Sequence, residues 1–348
     1  MANNTICIYG ATDTGKTTQI GFIARRLFMK YKKPLRLVSA DTGGGWKSIQ
    51  KYIDTGIIEA LSIRNEPSPI FLIHKIVQGY WPLEIENGVR KGSKMSLDLS
   101  NVSGYAFEGL TSLSDLIMNH VSGKKLGQDS AYKVKVDARG NETISSGDRN
   151  DATSLSKETI TDIKGMPLDT EIIGTAAQSH YGFIQDKVPM LMERTWDLPV
   201  DIVIWTAHEA QGEDTITKNI IRGPALAGKK GTAKIGRKVG MLIHAENVGN
   251  ITVKPTLPNV KPTEVESREI RYYFISHPDR DNPRMTWPAK PRLDVESIPE
   301  LLKRFPGGYF SPSTSPGTGI DLYLDVEENL INKGVDELLK WKESILGK

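Results

Sequence analysis

The chain has 348 residues, 38% of them apolar and 25% charged, which as a length prior gives about two domains or one large α/β domain with insertions. That balance excludes collagen-like, largely disordered and disulfide-scaffold proteins. Lys and Arg (45) exceed Asp and Glu (42) by a net charge of +3, so any polyanion site has to be local rather than a property of the whole surface. The single cysteine, Cys7, lies in an apolar run and gives no disulfide framework, which suits a reducing cytosol. The chain runs from Met1 into a strand pattern without a signal-peptide pattern. No apolar run approaches the ~18 residues of a membrane span. A cytoplasmic protein without membrane contact is expected.

Residues 5–9 (TICIY) read as a short buried strand. A Gly-rich turn follows, then a helix over 17–31 with Ile20, Ile23, Leu27 and Phe28 at helical spacing. Strands are expected at 35–40 and 57–63, and helices at 46–52 and 70–79. A fourth strand at 102–107 precedes a helix at 111–121. This alternation predicts an α/β fold: a mostly parallel sheet with helices on both faces. From 124 to 179 the chain turns polar, with eight basic and nine acidic residues. It reads as an insertion containing a hairpin near Gly140-Asn141. The core resumes with a helix at 181–196 and an apolar strand at 201–207, followed by strands at 239–246, 251–255 and 269–276. Residues 1–123 and 180–305 thus form the core. Residues 306–320 (PGGYFSPSTSPGTGI) read as a linker. Residues 321–348 read as an amphipathic helical tail broken near Gly334, offering a surface for a protein partner.

Residues 10–17 (GATDTGKT) match G-x-x-x-x-G-K-[ST] between a strand and a helix. In such a loop the glycines let successive N–H groups face phosphate oxygens, and the helix N-terminus adds its positive dipole end. Gly10, Asp13, Thr14, Gly15, Lys16, Thr17 and Thr18 are the nucleotide-binding candidates. Lys16 is expected on the β- and γ-phosphates and the Thr17 hydroxyl on Mg²⁺. The motif calls for an NTP such as ATP, with Mg²⁺.

A site of this kind needs a carboxylate near the metal, expected on an apolar strand beside the phosphate-loop strand. Glu108, ending GYAFE, is that candidate. Asp41, ending the second strand before Thr42-Gly43-Gly44-Gly45, is the candidate for orienting or deprotonating the attacking water. The two acids can exchange these roles. His208, ending DIVIWTAH, is positioned to contact the γ-phosphate. Trp46, in the helix after Asp41, reads as a packing residue, with stacking on adenine as the alternative. The other histidines (His74, His120, His180, His244 and His277) lack metal-ligand spacing, and residues 277–283 (HPDRDNP) read as a turn.

Between 215 and 238 there is no acidic residue and there are seven basic ones: Lys218, Arg222, Lys229, Lys230, Lys234, Arg237 and Lys238. This +7 sits in a chain of net +3, with four glycines among it. A basic Gly-rich loop suits a nucleic-acid backbone, read without sequence preference. It also suits a cation offered in trans to a neighbouring subunit's nucleotide.

Taken in order, these parts resemble the RecA-like ATPase core. More narrowly they look like phage-encoded P-loop ATPases related to RecA, some of which act in single-strand annealing or recombination. The resemblance rests on IYGATDTGKTT, SADTGGG, IVIWTAHE, GPALAGKKGTAKIGRKVGMLIHAEN and YYFISHPDRDNPRMTWPAKPRL, and covers roughly residues 1–305. It implies a homo-oligomer acting on single-stranded DNA in the cytoplasm of a bacterial host. It also implies that Asp41 is the water-activating acid, Glu108 the metal-water acid and His208 the sensor. The chain departs from the family pattern in having Asp rather than Glu at 41, Glu rather than Asp at 108, and a long polar insertion; the first two imply slow hydrolysis, while the resemblance itself implies a DNA-stimulated ATPase. A small-molecule kinase, a packaging or helicase motor, and an ATP-switched interaction protein are the competing readings.

Overall fold

The computed structural model describes residues 4–41, 45–66, 69–127, 132–136, 142–146, 178–213, 220–226, 234–251, 267–313 and 315–346. Strand β1 (Asn4–Gly10) is buried from its second residue onward. Pleating sends Ile6 and Ile8 to one face and Cys7 and Tyr9 to the other, and each pair joins a different apolar cluster. Both faces of the strand therefore need cover, and helices supply it. Helix α1 (Lys16–Tyr31) buries Ile20, Ile23, Ala24 and Leu27, an i, i+3, i+4, i+7 stripe against the sheet. It ends at Lys32, whose left-handed backbone (φ 57°) returns its N–H to the Phe28 carbonyl.

Strand β2 (Leu35–Ser39) leads through a 3₁₀ turn (Gly45–Ser48) and the short helix α2 (Gln50–Asp54) to strand β3 (Ile58–Ser62) and helix α3 (Pro69–Ile76). A small polar excursion follows. β4 (Tyr80–Pro82) pairs with β7 (Met95–Leu97), and between them β5 (Ile85–Glu86) pairs with β6 (Val89–Arg90). Asn87 and Gly88 both have positive φ (50° and 75°), as the tight two-residue hairpin turn demands. Strand β8 (Gly104–Glu108) and helix α4 (Leu110–Gly127) return to the core. In the polar insertion, β9 (Tyr132–Val136) and β10 (Glu142–Ser146) form an antiparallel pair. The ends of that segment belong to α4 and to the following helix, and 128–131, 137–141 and 147–177 lie outside the described residues.

Helix α5 (Gln178–Arg194) precedes β11 (Ile202–Ala207), and the hairpin β12 (Glu209–Glu213) and β13 (Ile220–Pro224) follows directly. The last part comprises β14 (Met241–Ile251), β15 (Ser267–Tyr273), the small pair β16 (His277–Pro278) and β17 (Thr286–Trp287), α6 (Ile298–Arg304), β18 (Tyr309–Phe310) and α7 (Ile320–Leu346). The central sheet runs β18-β15-β14-β1-β11-β8-β2-β3. Every neighbouring pair from β14 to β3 is parallel; β15 and β18 close one edge antiparallel. Residues from α3, α4 and α5 fill one face, and residues from α1, α2, α6 and α7 the other.

Four expectations change here. β8, which carries Glu108, is not beside β1, because β11 lies between them. Residues 241–251 form one long strand with a bulge between Asn247 and Gly249, where two strands were expected; 252–255 lie outside the described residues. Tyr309 and Phe310, inside the expected linker, pair with Tyr273 and Tyr272 of β15. The tail helix α7 runs through Gly334 without a break, since one exposed helical glycine costs only about 1 kcal/mol. Ile320, Tyr323 and Leu324 of α7 are buried. At roughly 1.5–3 kcal/mol per buried large apolar side chain, they hold the start of the helix on the core.

Candidate functional site

In a parallel sheet the strands' carboxyl ends share one edge, and the loops leaving them converge. Here that edge carries the loop after β1, Asp41 after β2, Glu108 at the end of β8, and His208 after β11. Thr12, Asp13, Gly15, Lys16, Thr17, Thr18, Asp41, Lys47, Ser48, Ser112 and His208 line a single open cleft of about 610 Å³. Two of the three strand-end residues singled out from the sequence, Asp41 and His208, thus line this cleft with the phosphate-loop motif, while Glu108 is buried and touches it through Thr17.

The loop is braced from below and behind. Gly15 takes a left-handed conformation (φ 78°) to enter α1, which a side chain would oppose. The Tyr272 hydroxyl, buried in β15, donates to the Thr14 carbonyl at 2.6 Å, and Thr14 Oγ1 donates to the Ala11 carbonyl at 3.0 Å. Lys16 Nζ donates to the carbonyls of Gly10 (3.0 Å) and Ala11 (2.6 Å). Burial pushes the Lys16 ammonium down to about 8, against the pull of Asp41, Glu209, Asp13 and Glu108. That amine is a cation held in a partly dehydrated cradle, where an added polyanion is strongly felt.

Glu108 is 3% exposed. Its Oε1 accepts a short hydrogen bond from the Thr17 hydroxyl, while Oε2 is buried without a hydrogen-bond partner. Burial raises its carboxyl, and the Thr17 hydrogen bond opposes that rise. A buried carboxylate oxygen lacking a donor, next to a hydroxyl, fits the outer sphere of a hard cation with oxygen ligands. Asp41 stands across the cleft. Its Oδ1 accepts from the Ser112 hydroxyl in the first turn of α4, and its backbone N–H reaches Ser39 Oγ at 3.3 Å. Gly109 (φ 78°) gives Asp41 its room, since a Cβ there would collide with the Asp41 carboxylate.

His208 is tied through its backbone. Its N–H donates to Thr111 Oγ1 (3.1 Å), and its carbonyl accepts from Ala225 N (2.6 Å). Thr111 Oγ1 in turn donates to the Ala225 carbonyl at 3.1 Å. The helix after β8 and the strand leaving the hairpin are therefore pinned at this residue. Trp46 is part-buried and packs over Gly88.

The basic segment divides. Lys218, Lys229 and Lys230 lie outside the described residues. Arg222 faces inward: it is 7% exposed, ion-paired with Asp279 and stacked over Trp287. The pair binds the hairpin to the β16–β17 turn, so in this conformation Arg222 presents no charge to a surface ligand. Lys234 meets Asp186 (2.8 Å) and Lys238 meets Glu193 on α5. Arg237 is exposed.

Sequence reasoning missed Ser112, Lys47 and Ser48 in the cleft wall. It also missed Glu209, His244 and His277, which join hands behind the loop (His244 Nε2 to Glu209 Oε2 3.0 Å; His244 Nδ1 to His277 Nε2 2.8 Å). Only the adjacency of Glu209 to His208 hinted at the second group. Among the described residues, no helix is long and apolar enough to cross a membrane.

No family model matches the chain, and no curated protein matches it. Among solved structures it is similar to the flagellar accessory protein FlaH from Methanocaldococcus jannaschii, at 12% identity, over 78% of this chain and 77% of that one, with a TM-score of 0.33.

Proposed function

We propose that the chain is a Mg²⁺-dependent, ATP-binding and ATP-hydrolysing protein with a RecA-like core. The observation that carries this reading is the meeting of Lys16, Thr17, Asp41 and His208 in one cleft, with the buried Glu108 hydrogen-bonded to Thr17 at its wall. The core reading is supported by the sheet order, in which β11 stands between the phosphate-loop strand and the strand bearing the metal-side acid.

Thr17 and Glu108 would hold Mg²⁺, with the orphaned Glu108 Oε2 turned to its hydration shell. A Mg²⁺ held there would supply charge neutralisation to a bound polyphosphate. Lys16 trades its loop carbonyls for phosphate oxygens, and the dipole end of α1 adds to the same attraction. Asp41, oriented by Ser112, accepts a proton from the water that attacks the γ-phosphorus as the bond to the β-bridging oxygen breaks. His208 reads the γ-phosphate position and passes it to the hairpin, because its backbone is pinned to Thr111 and Ala225.

The finer reading is that this signal acts on single-stranded DNA. Its support is that the hairpin starting one residue after His208 leads into the acid-free basic segment of 215–238. With Arg222 held inward, the cations proposed for phosphates are Lys218, Lys229, Lys230 and Arg237, with Lys234 and Lys238 joining them by exchanging Asp186 and Glu193 for phosphate.

The test is equilibrium binding and hydrolysis of ATP with and without Mg²⁺, single-stranded DNA and salt. Loss of binding in Lys16→Ala and Mg²⁺-insensitive binding in Glu108→Gln are expected. Hydrolysis that rises with DNA at low salt and loses that rise at moderate salt supports the DNA reading. A rate indifferent to DNA removes it and leaves the ATPase.

A further inference from the structure

A second cavity, of about 820 Å³, shares no lining residue with the phosphate-loop cleft. It lies at the β3 edge of the central sheet, between α2 with the preceding 3₁₀ turn and the β4–β7 excursion. Its size is that of a small-ligand site. Arg36 on β2 lines it with only 5% of its side chain exposed. Arg36 Nε donates to Glu59 Oε2 at 3.2 Å, and Nη1 donates to the Asp98 carbonyl at 2.6 Å and the Tyr105 hydroxyl at 3.0 Å. The guanidinium also stacks on Trp81, 5.0 Å from the ring centroid. These contacts fix its plane. Among the described residues Nη2 makes no hydrogen bond, and its ion pair with Asp98 Oδ2 is 3.9 Å long. Two of the guanidinium's five N–H donors are on Nη2. A buried, immobilised donor that opens on a cavity without an acceptor is matched by a ligand oxygen.

Charge decides the rest of the ligand. Three carboxylates, Asp54, Glu59 and Asp98, line the cavity against the one guanidinium of Arg36, which leaves a net charge of −2. A phosphate is repelled there and a cation attracted. Trp46 and Trp81 supply indole rings, the best aromatic partners of a cation. Ile53 and Leu83 supply apolar cover for an aliphatic stem. We infer that this cavity binds a basic amino-acid unit, whose carbonyl oxygen accepts from Arg36 Nη2 and whose ammonium or guanidinium head lies among Asp54, Glu59 and Asp98. The unit is either a lysine or arginine residue of a peptide or the free amino acid; both present the same chemistry to the wall. The inference does not depend on the proposed nucleotide chemistry. The two sites are neighbours all the same, because Trp46 shares its 3₁₀ turn with Lys47 and Ser48 of the phosphate-loop cleft.

The test is a titration of the full chain with Nα-acetyl-arginine amide at low salt, followed by the indole N–H resonances of its six tryptophans. Trp46→Phe and Trp81→Phe assign the two signals in the cavity wall. Saturable shifts are expected in those two and not in Trp196 or Trp287, which lie elsewhere. Agmatine keeps the guanidinium and the stem but lacks the carbonyl, and it should bind several-fold more weakly. Nα-acetyl-citrulline amide, the uncharged isostere, should bind more weakly still. Asp54 is exposed and the Asp98 side chain is 41% exposed, so the double variant Asp54→Asn, Asp98→Asn leaves the core untouched. It should lose roughly three- to tenfold in affinity, and Trp46→Phe about two- to fivefold. Free arginine separates the sources: tighter binding than the acetylated amide marks a free amino acid, weaker binding a residue within a peptide. Unsaturable shifts, equal binding of the citrulline analogue, or affinity unchanged in the double variant overturn the inference. So does displacement of the amide by ATP with Mg²⁺, which would make the cavity part of the nucleotide site. Failure of the chain to bind ATP overturns the nucleotide reading alone and leaves this titration as it stands.

Discussion

Replacing Gly109 by Ala separates the role of Asp41 from general damage to the fold. Gly109 has φ 78°, and a Cβ there would collide with the Asp41 carboxylate. The backbone strain of a non-glycine residue in this region is about 1–2 kcal/mol. Gly56 is a matched control, because it has φ 69° and nothing within 4 Å of a Cβ; Gly56→Ala bears the strain alone. Both variants should lose about 1–2 kcal/mol in chemical denaturation, with Gly109→Ala lower by whatever the displaced carboxylate adds. The difference belongs in catalysis. Moving a positioned group by about 1 Å costs on the order of a hundredfold in rate, so Gly109→Ala should hydrolyse ATP about a hundredfold more slowly with nearly unchanged ATP affinity, and Gly56→Ala at the wild-type rate. Steady-state phosphate release, measured beside a binding isotherm, reads both. Equal hydrolysis by the two variants would refute the assignment of Asp41 to the attacking water.

Lys16, pushed down to about 8, should be half neutral at pH 8, so ATP binding there takes up about half a proton and at pH 6.5 almost none; calorimetry in two buffers reads the difference. Its native value lies below the unfolded ~10.4, so its contribution to stability rises as pH climbs from 8 towards that value. Asp279→Ala strands the buried Arg222 guanidinium and removes the acceptor for Trp287 Nε1 (2.8 Å); a loss of about 3–5 kcal/mol is expected in denaturant titration. Glu327, fully buried, accepts from Arg292 N and Nε and from the Tyr323 hydroxyl. Glu327→Ala should cost about 3 kcal/mol, whereas Arg26→Ala, whose partners Asp325 and Glu328 are 56% and 38% exposed, should cost under about 1 kcal/mol.

Much of this was legible because it is local. The buried strand, the loop and the amphipathic stripe of α1 lie within thirty residues, and each later acid closes an apolar strand. What sequence could not supply is the lateral order of the strands, which depends on contacts between distant segments. That is why β11 rather than β8 lies beside β1. Composition misled at 306–320, where Pro and Gly flank a two-residue strand held by Tyr272 and Tyr273. Charge misled at Arg222, whose apolar neighbours Ile220 and Ile221 belong to a hairpin turned towards Asp279. His244 reads as one polar residue in an apolar strand; only the parallel register with Tyr9 and the approach of His277 show what it joins.

The most direct test of the account is equilibrium binding of ATP, with and without Mg²⁺, to the wild type, Lys16→Ala and Glu108→Gln. The account predicts Mg²⁺-strengthened binding by the wild type, binding by Glu108→Gln that Mg²⁺ no longer strengthens, and at least a hundredfold loss in Lys16→Ala. Unaltered affinity in Lys16→Ala, or no binding by the wild type at millimolar ATP, would contradict it.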